Sequence, residues 1–135
     1  AEIDHALERQ ERRAQLLMDL SLNLKALISQ RLLPRQEGRG RVAAVEILLN
    51  TPLVADMIFK GEVGEIKELM KRSRELGMQT FDQHLFELYD NGIITYEDAL
   101  RNADSVNDLR LQIKLNSKRA RTSDLSAGTE HLTIV

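Results

Sequence analysis

The chain has 135 residues, the size of one ordinary domain. Its 19 Lys and Arg are balanced by 21 Asp and Glu, for a net charge of -2, which speaks against a surface built mainly to neutralise phosphates but leaves a local basic patch open. With no Cys and no Trp, disulfides, thiolate nucleophiles and Cys-ligated metals are excluded, and a core has to be made of Leu, Ile, Val and Met.

The first long segment has helical spacing: Leu17, Leu20, Leu24, Leu27 and Ile28 recur at three- and four-residue steps and share one face. The preceding Glu8-Arg9-Gln10-Glu11-Arg12-Arg13 reads as a solvated helical face. This helix is expected to give way near Gln30, because Pro34 disfavours helix just before it. Two apolar runs, Ile28 to Leu33 and Val42 to Leu49, flank Pro34-Arg35-Gln36-Glu37-Gly38-Arg39-Gly40 and predict a β-hairpin. The second run is apolar on both faces and predicts cover on both sides. Gly38-Arg39-Gly40 has the look of a phosphate cradle, but no strand-to-helix context supports it and a hairpin turn is the stronger reading.

From Thr51 onward the sequence punctuates short helices. Thr51-Pro52 is a cap residue followed by Pro at the first helical position, and Gly61 is placed to end that helix. Ile66, Leu69 and Met70 mark the next, expected to stop at Gly77. Thr80-Phe81-Asp82-Gln83 fits a capping box, after which Phe81, Leu85, Leu88 and Tyr89 line one face up to Gly92. Thr95 to Asp98 and Ser105 to Asp108 repeat the start signal, with Ala99, Leu100 and Ala103 turned inward on the first helix and Leu109, Gln112 and Ile113 continuing the second. Lys118-Arg119-Ala120-Arg121 and the small, polar residues to Val135 read as a loose tail.

Chemistry is sparse. No G-x-x-x-x-G-K-[ST] occurs, so no backbone cradle with its Lys is present for nucleotide phosphates, and no ATP hydrolysis is expected of this chain alone. His5, His84 and His131 are far apart and form no H-E-x-x-H, and His84 reads as a surface or half-buried structural residue. No Ser lies in G-x-S-x-G, and Glu97-Asp98 reads as helix N-terminal charge. Catalytic, cofactor-binding and metal-binding residues are therefore all expected to be absent. The apolar runs fall far short of a membrane span. Ala1-Glu2-Ile3-Asp4-His5 lacks the basic and apolar regions of a secretory signal, and the lack of an initiating Met is expected to mark a fragment or processed product.

Three stretches, in order and at matching spacing, resemble the pilus retraction ATPases. These are Ser29-Gln30-Arg31-Leu32, the run from Gly38 to Pro52 (GRGRVAAVEILLNTP), and Leu76-Gly77-Met78-Gln79-Thr80-Phe81-Asp82. The run from Asn102 to Lys114 (NADSVNDLRLQIK) is similar to the PilU branch of this PilT/PilU family. The resemblance spans roughly Glu11 to Lys118 and implies the C-terminal portion of a type IV pilus retraction ATPase. The implied fold is mainly α with a β-hairpin: the terminal strands of a RecA-like α/β core over residues 1–50, a C-terminal helical bundle over 51–116 and a flexible tail over 117–135. It also implies a hexameric motor in the cytoplasm, peripheral to the inner membrane, that powers twitching motility. Such a motor works with a PilT-type paralogue and the pilus platform, using ATP and magnesium bound by motifs upstream of the matched region.

The helix after Thr51-Pro52 is where the PilT branch of the family carries an Ala-Ile-Arg-Asn-Leu-Ile motif tied to retraction. Here it reads Leu53, Val54, Ala55, Asp56, Met57 and Ile58, with Ala55 for the Arg and Asp56 for the Asn. These six residues are the candidate interface. The first ten residues depart from the family and look like a junction across missing sequence. Two other readings are a non-catalytic interaction module and a helix-turn-helix nucleic-acid-binding domain over Glu62–Leu76, Thr80–Asn91 and Thr95–Ala103. Against the latter, Glu87, Asp90, Glu97 and Asp98 crowd the helices that would read bases, so no nucleic-acid partner is expected.

Overall fold

A computed structural model describes residues 2–122. In chain order these are α1 (Glu2–Asn23), β1 (Ala26–Pro34), β2 (Arg41–Leu49), α2 (Pro52–Lys60), α3 (Val63–Lys71), a 3-10 turn (Arg74–Leu76), α4 (Phe81–Asp90), α5 (Tyr96–Arg101) and α6 (Val106–Asn116). Helix dominates, and β1 and β2 form a two-stranded antiparallel hairpin. Between the strands, Gly38 and Gly40 take φ of 81° and 99°, left-handed values that glycine adopts without steric cost. Arg35 N–H donates to Gly40 C=O across the loop, so this segment is a hairpin turn, as expected.

The described residues form two compact units, 2–29 with 47–79 and 30–46 with 80–122. In the first unit, α1 ends at Asn23, seven residues before the expected point, and Leu27 and Ile28 lie in β1. Asn50 Nδ2 donates to the carbonyls of Ser21 and Leu24, groups that a longer helix would have bonded to its own N–H groups, and Asn23 Nδ2 donates to Asp19 C=O. Leu48, Val54, Ile58, Ile66, Met70 and Met78 form the core of this unit, with Leu17 and Leu24 packed at its edge. A second correction concerns α3, which stops at Lys71 and not at Gly77. Ser73 Oγ donates to Leu69 C=O, and the backbone tightens into the 3-10 turn that Gly77 (φ 98°) closes.

The second unit has the larger core: Leu33, Ala44, Phe81, Leu85, Leu88, Tyr89, Ile94, Ala99, Leu109 and Ile113. The capping box at Thr80 is present in both directions, and Thr95 Oγ1 accepts from Asp98 N–H. Ser105 makes no side-chain cap. Instead the Asp82 carboxylate of α4 accepts from Asp104 N–H and Ser105 N–H and so holds the start of α6. Leu109 and Ile113 of α6 are buried, whereas Gln112 is exposed. Cover of β2 is unequal: Ala44 and Leu48 are buried, whereas its other residues from Val42 to Leu49 are half-buried.

Residues 117–122 correct the loose-tail expectation. Ser117 is fully buried, and the Asp90 carboxylate accepts from Ser117 Oγ (2.9 Å), Lys118 N–H and Arg119 N–H. Arg119 donates to the carbonyls of Tyr89 and Ile94 and to Gln36 Oε1, and its guanidinium lies over the Tyr89 ring. The remainder of that expectation, residues 123–135, lies outside the described residues.

Candidate interface on the helix after Thr51

Thr51 Oγ1 accepts from Val54 N–H and Pro52 occupies the first turn, where its missing N–H costs nothing. At the other end Gly61 (φ 75°) sends its N–H back to the carbonyls of Ile58 and Met57. These two caps fix α2 at nine residues and so fix which side of it faces outward. The structure separates the six candidate residues. Val54 and Ile58 belong to the core, and Ala55 and Met57 are half-buried. Leu53 and Asp56 are exposed, together with Phe59 and Lys60 one turn on.

The outward face combines an apolar pair with an ion pair. Lys60 Nζ lies 2.9 Å from Asp56 Oδ2, and the hydrogen bond and charge of Asp56 raise the lysine above its usual range. Beside this face a groove of about 350 Å³ is lined by Gln10, Arg13, Ala14 and Leu17 of α1 and by Phe59 and Lys60 of α2. Arg13, Phe59 and Lys60 were not singled out by sequence reasoning. Phe59 carried a signal, since it is a large apolar residue one turn from Asp56 on the polar side of the helix. Arg13 carried none, because its position depends on how α1 crosses α2.

The other chemistry-bearing residues have local structural partners. His84 Nδ1 accepts from Val45 N–H at 2.7 Å, tying α4 to the hairpin, and Glu46 Oε1 accepts from Phe81 N–H. Arg31 donates to Asp104 Oδ1 (2.8 Å) and to Asn102 C=O, and its guanidinium stacks 4.0 Å from the Phe81 ring centroid. Glu97 and Asp98 sit in the first turn of α5, where carboxylates complement the helix dipole. His5 is on exposed α1 and His131 lies outside the described residues. Among the described residues no three His, Cys, Asp or Glu side chains are grouped as a metal site would need, and no helix is long and apolar enough to cross a membrane.

No family model matches the chain. Individual proteins do. Over 124 residues, 92% of the chain, it is 60% identical to the type IV pilus ATPase PilU of Pseudomonas aeruginosa. Over 86 residues, 64% of the chain, it is 41% identical to a twitching motility protein of Neisseria gonorrhoeae. The crystal structure of the pilus retraction motor PilT with bound ADP superposes on 72% of the chain with a TM-score of 0.62 and 35% identity. The chain spans 32% and 23% of the two relatives and 26% of the PilT chain. The hairpin and following helices are the terminal region of a RecA-like ATPase fold. Over the portion that it spans, the chain belongs to the PilT/PilU family of type IV pilus ATPases.

Proposed function

We propose that this chain is the C-terminal part of a hexameric motor of the PilU kind that powers type IV pilus retraction, carrying the moving bundle and not the chemistry. The observation that carries this reading is 60% identity to PilU across 92% of the chain. ATP and magnesium act in the whole motor through a nucleotide-binding segment, and the P-loop pattern for that is absent from this sequence. The outward face of α2, with Leu53, Asp56 and Phe59, meets a neighbour: another subunit, a PilT-type paralogue or the platform protein of the pilus. The motor works in the cytoplasm at the inner membrane. Ala55 and Asp56 stand where the PilT branch has Arg and Asn, so any contact made here differs in charge from that of PilT.

The test is a chimera in which this sequence replaces the matching portion of PilU in a strain lacking PilU. Retained twitching, hexamer formation and ATP turnover are the expected results. A chimera that folds and hydrolyses ATP but supports no retraction would overturn the reading. The isolated 135-residue chain is expected to show no hydrolysis above a blank.

A further inference from the structure

We infer that the outer face of α6, with the turn after it, is a docking surface for an anionic lipid bilayer. From Leu109 to Arg121 the sequence carries five Lys and Arg and no Asp or Glu, in a chain whose overall charge is -2. The field there is local and positive. Structure decides how those residues are presented. Leu109 and Ile113 are buried in the second unit and anchor α6 by one side. That leaves Leu111 and Leu115, one turn apart, 53% and 54% exposed on the other side. Arg110, Lys114, Lys118 and Arg121 are exposed around them. Arg121 Nη2 donates to Leu115 C=O at 2.7 Å, which keeps its charge beside that leucine. Arg119 is committed to Tyr89, Ile94 and Gln36, so four cations face outward.

Two acids offset part of this charge. Asp90 stays ionised beside Ser117, Lys118 and Arg119, and Asp108 stands one turn before Leu111 at the start of α6, so two negative charges face five positive ones and the stripe stays positive. α6 is held to the protein by Leu109 and Ile113, so it offers a bilayer only the exposed pair Leu111 and Leu115 inside a ring of cations. Anionic headgroups attract such cations without any shape match, and the leucines reach the headgroup boundary. A protein partner fits less well. Protein interfaces are depleted in Lys and enriched in aromatic anchors, and this stripe has two lysines and no aromatic residue. The inference stands without the motor reading, since it uses only α6 and residues 117–121.

Sedimentation of the full 135-residue chain with phosphatidylcholine vesicles, with and without phosphatidylglycerol, tests it. Binding is expected only with phosphatidylglycerol and is expected to fade at high salt. Lys114→Gln and Lys118→Gln should each weaken it about fivefold, and Leu111→Ser with Leu115→Ser about tenfold. Lys71→Gln on α3 should leave binding unchanged. Because all five altered residues are exposed, circular dichroism of the variants is expected to match the parent, which separates lost binding from lost fold. Equal binding to neutral vesicles, or undiminished binding by the lysine variants, would overturn the proposal. So would binding of a polyglutamate peptide as tight as that of the anionic vesicles, which would make the occupant an acidic protein.

Discussion

The two units hold similar stretches of chain but are built differently. The second closes ten buried apolar residues under α4, α5 and α6 and ties its ends with charge-assisted bonds from Asp82, Asp90, Arg31 and Arg119. The first buries six, and its longest element, α1, buries none. Ile3, Leu7, Leu16, Met18, Leu20 and Leu22 of α1 are all exposed. Helical periodicity is equally clear in both places, but on α1 the face it marks packs only in part, through Leu17 and through Leu24 just beyond the helix. Six exposed large apolar side chains on one helix are more than scattered single exposures of the ordinary kind.

The sharpest break in that comparison comes from matched core truncations. Leu85, fully buried in the second unit, should cost about 4 kcal/mol as Leu85→Ala. Met70→Ala in the first unit should cost about 2 kcal/mol, because its smaller core relaxes more easily around the lost volume. Thermal and urea denaturation of the two variants would check both values. An equal loss would mean that the first unit is packed as tightly as the second.

Asp90 comes next. Its partial burial disfavours the charged carboxylate, but the hydrogen bonds from Ser117 Oγ, Arg119 N–H and Lys118 N–H, with the Lys118 charge, outweigh that and hold it below the ordinary aspartate value of 3.8. A carboxyl lowered in the folded state stabilises the fold at pH above its unfolded value, and that contribution is lost as pH falls through the lower, folded value. Stability in the parent should therefore drop below about pH 4. In Asp90→Ala this component of the acid-side drop should be absent. The same variant should lose about 2 kcal/mol at neutral pH, from the missing cap and the stranded Ser117 hydroxyl.

Thr80→Ala removes one half of a capping box and should cost about 1 kcal/mol, with Thr80→Ser restoring most of it. This cap was legible because its whole signal is local: a hydroxyl, then Gln83 three residues on, then an apolar run. The same holds for Thr51 and Thr95, for the inner face of α4 and for the hairpin turn, and the family resemblance rested on such contiguous runs. The features that escaped are set by partners distant in sequence. Asn50 ends α1 by reaching carbonyls 26 and 29 residues earlier, and nothing near Asn23 announces that stop. The Ser105 signal placed the start of α6 correctly, but the bonds that hold it come from Asp82, 22 and 23 residues away. Residues 117–121 read as tail because their anchor, Asp90, is on another helix. Within the candidate interface, helical phase separated Val54 and Ile58 from Leu53 and Asp56, but only contacts say which side is inward.

The smallest expected effect on stability bears most directly on function. Leu53 and Val54 are neighbours on α2, one exposed and one fully buried. Leu53→Ser should change stability by no more than about 0.5 kcal/mol, as for a surface site free of special packing. Placed in the PilU chimera, it should nevertheless reduce twitching if the outer face of α2 docks a neighbour, with ATP turnover per hexamer retained. A variant that keeps both stability and twitching would remove Leu53 from the interface. One that loses stability would instead assign Leu53 to the core with Val54, and the comparison between the two sides of α2 would collapse.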